Sequence, residues 1–422
     1  MFENLIAQPA AKLLIADVEA SRLPPSMLFS GPEASGKLTA ALELARVLSC
    51  AEGSGLWTCA CGSCARSKEL THPDLLVMGP RNGSLEIRAS AAAFMRKRTP
   101  ATRFLFVRSV RKLAIRFSPV LVGDDDSRAQ KATPLLADIG ELLEELSPAR
   151  ALEGDAAAID KVVASLSEIA EKLETDFMYD SIPVSQVRNA SSWARLSPSG
   201  RRKILVIENA DRMQDSARNA FLKILEEPPE NVVFVLTTAR RGAIMPTILS
   251  RVRTYAFTER PAAAEAEVIS RVFQDEAGEG ESLASYFYRF LPVPMDTIAA
   301  AADSFLISVL QDAIDEGRRP LSGLRTALDA DGAKDAKRIG SIAELNASLN
   351  RCKPTVVWHL FLACLSRRAR LALRTGNADA RETSVYALWA DSIRNAVDSV
   401  DVFNIAPQSA LESLYAEMKE RI

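Results

Sequence analysis

The sequence predicts an α/β protein built on a parallel sheet and followed by an all-helical carboxyl-terminal region. The first observation is that four short segments are apolar, rich in β-branched residues and bounded by breakers: residues 27–30, 75–78, 203–207 and 232–238. Such segments are typical of buried parallel strands. The second is that helical patterns separate them, which predicts a doubly wound sheet. The third is that strand signals stop after Phe257, where alanine- and leucine-rich helical patterns take over.

Length and composition limit the classes of protein. A chain of 422 residues exceeds one hydrophobic core, so we expect two or three domains. Lysine plus arginine (52) nearly balances aspartate plus glutamate (54), which argues against a protein that coats nucleic acid by bulk charge. The sequence has no run of 18 apolar residues, and its amino terminus lacks a basic region followed by an apolar stretch. We therefore expect no membrane span and no signal peptide, and we expect a cytoplasmic location.

The first predicted strand leads into a phosphate-binding loop. Residues 31–37 are Gly-Pro-Glu-Ala-Ser-Gly-Lys, and a helical pattern follows at once. A strand, a G-x-x-x-x-G-K loop and a helix together predict a P-loop, whose backbone N–H groups and lysine hold phosphate. The motif requires a hydroxyl after the lysine to bind Mg²⁺, but this chain has Leu38. Thr39 comes one residue late, about 100° around the helix. We therefore expect weak binding of a metal–nucleotide complex.

The third predicted strand ends at Glu208-Asn209. In P-loop ATPases an acid here holds Mg²⁺, and a following glutamate orients the attacking water. Glu208 can serve a metal, but Asn209 cannot act as a general base, so hydrolysis should be slow or absent. Alternatively, both residues merely end the strand and Asp211 caps a turn. The candidate nucleotide-binding residues are Gly31, Ser35, Gly36, Lys37, Thr39, Glu208 and Thr238.

Four of the six cysteines lie within fifteen residues, at Cys50, Cys59, Cys61 and Cys64. Four thiolates suit a closed, tetrahedral, structural Zn²⁺ site, and we predict one here, the alternative being free buried thiols. His72 could replace one cysteine, although a surface or loop histidine before Pro73 is the simpler interpretation. Cys352 and Cys364 lie in apolar helical patterns, where a free cysteine usually fills the core.

Residues from about 89 to 180 predict an inserted helical module. Three long helices are expected, at about 101–117, 128–146 and 156–177. No acidic residue occurs from 89 to 123, whereas eight basic residues do: Arg96, Lys97, Arg98, Arg103, Arg108, Arg111, Lys112 and Arg116. They form either a charged face that packs against an acidic neighbour or a contact with a nucleic acid backbone.

These features together resemble the bacterial clamp-loader ATPase subunits of DNA polymerase III, which belong to the AAA+ class. The resemblance rests on the P-loop, the four cysteines, His72-Pro73-Asp74, Asn219-Ala-Phe-Leu-Lys-Ile-Leu-Glu-Glu-Pro-Pro229 and Ile248-Leu-Ser-Arg251, and it covers about residues 1–88 and 181–258. It implies an AAA+ P-loop domain (1–258) with the zinc module (50–64) and the insertion, a small helical lid (259–315) and a helical collar for oligomerisation (316–422). The insertion and the single residue between Cys59 and Cys61 depart from the family pattern.

The family has two relevant branches. Gamma/tau subunits hydrolyse ATP, whereas delta prime subunits are commonly degenerate at the Mg²⁺ hydroxyl and the acidic pair. Leu38 and Asn209 place this chain with delta prime. The resemblance then implies a hetero-pentamer with gamma/tau and delta subunits that loads the sliding clamp on primer-template DNA. It also implies that Arg251 acts in trans on a neighbour's ATP. On the residues alone, Arg251 is equally a salt-bridged surface arginine.

Two other functions stay open on the sequence. In the first, the chain is an active gamma/tau-type motor in which Thr39 or water restores Mg²⁺ binding. In the second, it is a P-loop phosphotransferase that uses the inserted helices as a substrate lid.

Overall fold

The structure, a computed structural model, describes residues 1–123, 126–152, 154–330, 338–349, 354–374, 378–401, 403 and 405–422. These form two compact units, Met1–Phe290 and Leu291–Ile422. Cys352 lies outside the described residues. The predicted lid and collar boundaries, at 258 and 315, stay predictions.

The first unit contains a five-stranded, fully parallel sheet in the order β2-β3-β4-β1-β5. Its strands are β1 (Ser26–Ser30), β2 (Leu75–Met78), β3 (Lys203–Ile207), β4 (Val232–Thr238) and β5 (Arg253–Ala256). The predicted α/β class and the four predicted strands are confirmed. The edge strand β5 was not predicted, because only Tyr255 of its four residues is buried and the others carry no apolar signal.

In the described part of the first unit, twelve α-helices surround or extend this sheet. They are α1 (Pro9–Glu19), α2 (Lys37–Ser49), α3 (Gly62–Lys68), α4 (Ser84–Arg96), α5 (Pro100–Ala114), α6 (Ser127–Glu145), α7 (Ala156–Phe177), α8 (Val184–Arg195), α9 (Asp215–Glu226), α10 (Pro246–Leu249), α11 (Ala262–Val268) and α12 (Leu283–Tyr288). Helices cover both faces of the sheet: Phe29 belongs to an apolar cluster with residues of α1 and α2, and Leu28 to one with residues of α8 and α9. Both faces are therefore buried, as parallel sheets require.

The predicted inserted region has an apolar core of its own. Buried side chains of α4, α5, α6 and α7 form one cluster, which includes Phe94 and Phe106 with their rings stacked. The three predicted helices correspond to α5, α6 and α7. Helix α4 precedes them and was not predicted.

The second unit is all-helical in its described residues, which confirms the prediction for the carboxyl-terminal region. Its helices are α13 (Met295–Asp315), α14 (Ser322–Ala330), α15 (Ile342–Leu349), α16 (Pro354–Arg374), α17 (Ala380–Asp401) and α18 (Pro407–Glu420). Helix α13 is long and apolar enough to cross a membrane by length and composition, but half of its apolar window is buried inside the protein. A buried bidentate ion pair between Asp303 and Arg368 joins α13 to α16 (2.7 and 2.8 Å).

Candidate functional site

The predicted P-loop connects β1 to α2 at the carboxyl end of the strand. Gly36 has φ +93°, a conformation that favours glycine. At Gly31 a Cβ atom would lie 2.2 Å from the carbonyl oxygen of Phe257. Both glycines of the motif are therefore required by the backbone itself, whether or not phosphate binds.

Lys37 is folded back on its own loop. Its Nζ donates to the carbonyl oxygen of Gly31 (2.7 Å), to that of Pro32, and to Ser35 Oγ (3.3 Å). Burial lowers the pKa of Lys37 to about 8, although the carboxylate of Glu33 acts in the opposite direction. The lysine thus makes internal contacts with the groups that surround the expected phosphate position.

Arg260 holds the P-loop from outside. Its Nη1 donates to the carbonyl oxygen of Ala34 (2.8 Å), its Nη2 to that of Ser35 (3.1 Å) and its Nε to that of Ile6 (3.1 Å). Sequence reasoning missed this residue. Its partners lie 225 residues or more away along the chain, so no local pattern indicates the contact.

The two residues after Lys37 differ in their surroundings. Leu38 is buried and belongs to the same apolar cluster as Phe29 and Phe257. Thr39 is half-buried. The side chain at position 38, where the motif requires a hydroxyl, therefore contributes to the hydrophobic core.

Glu208 follows β3 and is buried, with both carboxylate oxygens bound by arginines. Oε1 accepts from Arg81 Nη1 (2.5 Å), and Oε2 accepts from Arg116 Nη2. Burial acts to raise the pKa of Glu208, but the two guanidinium groups outweigh it and hold that pKa below its usual value. Glu208 is therefore ionised and already neutralised by two cations from its own chain.

The ion pairs extend beyond Glu208. Glu86 binds Arg81 and also accepts from Lys112 Nζ (2.5 Å). Burial would raise the pKa of Glu86, yet Lys112 and Arg81 lower it to about 2. We call Arg81, Glu86, Lys112, Arg116 and Glu208 the Glu208 cluster; its three cations exceed its two anions by one charge.

The basic stretch of the predicted insertion is engaged largely within the protein. Its contacts are Arg96 with Asp275 (2.8 Å), Arg98 with Asp160 (2.6 Å), Arg103 with the carbonyl oxygens of Pro148 and Arg150 (3.0 Å each), Arg108 with that of Ser67 (3.4 Å) and Arg111 with that of Glu69 (3.2 Å). Lys112 and Arg116 belong to the Glu208 cluster. The pattern favours internal charge pairing over contact with a nucleic acid backbone.

Asn209 and Thr238 are also held by internal contacts. Asn209 has a left-handed backbone (φ 51°), and its Nδ2 donates to the carbonyl oxygen of Pro80 (2.8 Å). Thr238 Oγ1 donates to Asp211 Oδ1 (2.7 Å), and Arg240 Nε binds the other oxygen of that carboxylate (3.1 Å). Asp211, predicted as a possible turn cap, instead binds Thr238 and Arg240 with its carboxylate, and its charge acts to raise the pKa of Lys37 against the larger lowering by burial.

The four predicted metal ligands come together. The Sγ atoms of Cys50, Cys59, Cys61 and Cys64 all lie within 4.8 Å of one another, and those of Cys50 and Cys59 are 3.8 Å apart. A tetrahedral Zn²⁺ with sulfur ligands at about 2.3 Å has edges of about 3.8 Å. Three of the four thiols are buried. The cluster can therefore bind a metal ion, and its donor set suits zinc.

Two neighbouring residues stabilise the cysteine module without joining it. Arg46 of α2 donates to the carbonyl oxygens of Leu56 (2.7 Å) and Gly55 (3.0 Å). His72 Nδ1 accepts from the backbone N–H of Asp74 (3.1 Å), so its Nε2 carries the proton that it shares with Ser63 Oγ (2.9 Å). His72 is therefore not one of the grouped ligands, and it is buried in the loop before β2 rather than lying on the surface.

Arg251 precedes β5 and lies at the amino-terminal ends of the strands, whereas the P-loop lies at their carboxyl-terminal ends. Arg253, at the start of β5, is level with Met27 of β1, and the P-loop begins only after Ser30. At about 3.3 Å per residue, the stretch from Met27 to Gly31 alone spans about 13 Å. Arg251 is exposed and pairs with Glu226 (2.8 Å).

Comparisons with known proteins relate this chain to subunits of DNA polymerase III. The family described as DNA polymerase III, delta subunit, matches residues 6–117 and 150–261. The match skips residues 118–149, which include α6. It therefore extends into the predicted insertion from both sides.

Individual relatives carry related names. A DNA polymerase III subunit delta' of Pseudomonas aeruginosa is 35% identical over 108 residues, 25% of this chain and 33% of that protein. One of Bacillus subtilis is 24% identical over 269 residues, 64% of this chain and 53% of that protein. A gamma/tau subunit of Mycobacterium tuberculosis is 32% identical over 76 residues, 18% and 13% of the two chains. The chain thus spans between about an eighth and about half of the length of these relatives.

A solved structure, that of a DNA polymerase III gamma subunit-related protein from Thermotoga maritima, covers 62% of this chain and 90% of that chain at 21% identity, with a TM-score of 0.30. The family match and the named relatives confirm the resemblance to DNA polymerase III subunits of the clamp-loader type. The family match includes more than half of the residues of this chain. The chain therefore belongs to the DNA polymerase III, delta subunit, family.

Proposed function

We propose that this chain is a clamp-loader subunit of the DNA polymerase III holoenzyme, of the delta prime type, which does not hydrolyse ATP itself. The observation that carries this proposal is the state of Glu208, whose two carboxylate oxygens are bound by Arg81 and Arg116. A carboxylate engaged in this way is not available to a Mg²⁺ ion without breaking a buried ion pair, which is costly.

Two further features support an inactive nucleotide site. Leu38 replaces the hydroxyl that would bind Mg²⁺, and its side chain is buried in the core. Asn209 replaces the glutamate that would orient water, and its amide binds Pro80. An active gamma/tau-type motor would require changes at each of these positions.

The catalytic contribution is then made to a neighbouring subunit. Arg251 lies at the amino-terminal ends of the strands and the P-loop at their carboxyl-terminal ends, so a phosphate that Arg251 reaches belongs to another molecule. An arginine supplied in trans stabilises the negative charge that develops on a transferring phosphoryl group. Arg251 acts in this way on ATP bound by an adjacent gamma/tau subunit.

The rest of the assembly follows from the same proposal. The chain joins gamma/tau and delta subunits in a cytoplasmic hetero-pentamer that opens the sliding clamp and places it on primer-template DNA. Residues 259–315 serve as the lid and 316–422 as the collar. The four cysteines hold a structural Zn²⁺, while ATP and Mg²⁺ bind weakly or not at all at the chain's own P-loop.

The test is Arg251→Ala in a loader reconstituted with its gamma/tau and delta subunits. We expect the DNA-stimulated ATP turnover of the loader to fall by the part that comes from the ATP site contacted by Arg251. The loader should still assemble, as judged by size-exclusion chromatography. The matched control is Arg271→Ala, because Arg271 is also an exposed, ion-paired arginine (2.7 Å to Glu267). Unchanged ATP turnover by the Arg251→Ala complex would show that the assignment is wrong.

A second measurement separates the inactive subunit from the motor. The isolated chain is titrated with ATP in the presence and absence of Mg²⁺, and its ATP turnover is followed. We expect no turnover and no increase in affinity on adding Mg²⁺. Mg²⁺-dependent turnover by the isolated chain would instead support the motor.

A further inference from the structure

Arg251 is tethered at three points. Its Nη2 donates to Glu226 Oε1 (2.8 Å), and its Nη1 donates to the carbonyl oxygen of Thr247 (2.9 Å) and to Ser250 Oγ (3.3 Å). Thr247 and Ser250 are close in sequence to Arg251, so they hold it from its own segment. Glu226 holds it from a different helix.

We infer that Glu226 is a positioning residue for Arg251: it fixes the guanidinium in the orientation in which it meets a phosphate group of a neighbouring subunit. This inference rests on the proposed function of Arg251. The assignment of Glu226 is additional to it, because nothing in the trans-acting role by itself requires a carboxylate partner within the same chain.

The tether leaves part of the guanidinium available. An arginine side chain has five N–H donors, and the three contacts above use three of them. The Nε of Arg251 has no partner among the described residues, and one N–H of Nη2 is not used by the tether. These remaining donors can form hydrogen bonds with phosphate oxygens while the contact with Glu226 is kept.

Glu226 is itself held on a rigid base. It is the last residue of α9, whose buried face includes Phe221, Ile224 and Leu225, and Pro228-Pro229 follows closely. Proline fixes φ, which restricts the backbone immediately after the helix. The carboxylate therefore occupies a defined place relative to the sheet, and so does the arginine that it binds.

The energetics place the effect on catalysis rather than on folding. The side chains of Arg251 and Glu226 are 34% and 53% exposed, and ion pairs at such positions contribute little to stability. A free arginine, however, loses much rotamer freedom when it engages a phosphate. Because the tether removes that freedom in advance, its loss should reduce the rate at the neighbouring site.

The test uses Glu226→Ala in the reconstituted loader, with Glu227→Ala as the matched control. Glu227 is the next residue and is also exposed. We expect Glu226→Ala to lower the kcat of the Arg251-dependent part of ATP turnover by about three- to tenfold, with the KM for ATP unchanged because ATP binds to the neighbour's P-loop. Glu227→Ala should have no effect, and Glu226→Gln, which keeps an acceptor of the same length, should lose less than Glu226→Ala.

The double variant Glu226→Ala/Arg251→Ala makes the test specific. If Glu226 acts only through Arg251, adding Glu226→Ala to the Arg251→Ala loader changes nothing further. An unchanged or raised kcat for Glu226→Ala, together with a clear loss for Arg251→Ala, would overturn this inference and leave the proposed function standing. If Arg251→Ala itself has no effect, the proposed function fails and this inference fails with it.

Discussion

The guanidinium of Arg116 is bound to the carboxylate of Glu208, and both side chains are buried. Glu208 directly follows β3, while Arg116 lies 92 residues earlier, in the short 3-10 helix that follows α5. A cation of the chain itself therefore contacts the acid that P-loop proteins offer to a metal ion.

Removing Arg116 should destabilise the first unit strongly. Arg116→Ala leaves a buried carboxylate with one guanidinium instead of two, and breaking a buried ion pair costs about 3 kcal/mol or more. The control is Arg98→Ala, since the Arg98–Asp160 pair is partly exposed (34% and 43%) and should contribute less than about 1 kcal/mol. Urea unfolding of both variants measures the difference. Equal free energies of unfolding would contradict the structural role of Arg116.

Acid should weaken the Glu208 cluster in a defined range. The pKa of Glu86 is about 2 in the folded chain, against an ordinary value of 4.5, and the pKa of Glu208 is also lowered. As pH falls, the unfolded chain therefore binds protons first. The stability that these carboxylates provide is complete above about pH 4.5 and is lost as pH falls towards 2.

Glu86→Gln tests this pH dependence. We expect the variant to be less stable than the parent at pH 7, and to lose less stability than the parent between pH 4.5 and 2. Glu171→Gln is the control, because Glu171 pairs with Arg88 at a more exposed position (33%). Urea midpoints at a series of pH values give the comparison, and parallel curves for Glu86→Gln and the parent would show the prediction to be wrong.

Restoring the residues that the P-loop ATPase motifs require at positions 38 and 209 should not restore Mg²⁺ binding. In Leu38→Thr/Asn209→Glu the hydroxyl and the second acid are present, but Glu208 is still bound by Arg81 and Arg116. We expect ATP affinity to be the same with and without Mg²⁺, and stability to fall by about 2 kcal/mol because a buried leucine is lost. Titration with a fluorescent ATP analogue measures the affinity. Tight, Mg²⁺-dependent binding would contradict the role given to the Glu208 cluster.

The cysteine module should contain one zinc ion per chain. Cys59→Ser removes one of four sulfur ligands, so we expect metal content to fall and residues 50–64 to become sensitive to protease. Cys364→Ser is the control, because Cys364 belongs to the second unit and is not one of the four grouped cysteines. Elemental analysis of purified protein measures the metal. A parent chain that holds no zinc when expressed with zinc would refute the assignment.

Local patterns predicted much of the first unit. Four strands and the P-loop were predicted because apolar runs and glycine spacing act over a few residues. The exposed strand β5 lacked such a pattern and was missed. The four cysteines were predicted as one group because their spacing is short.

Contacts between distant segments were not predictable in this way. The sequence by itself determined the α/β class, the membership of the family and the absence of a hydroxyl at Leu38, since each depends on residue identity or on short-range periodicity. Only the tertiary structure decided that Arg116 binds Glu208, that Arg260 holds the P-loop, and that Arg251 lies at the end of the strands opposite the P-loop. These relationships depend on which segments the sheet and its helices bring together, and a charged side chain carries no signal of its distant partner.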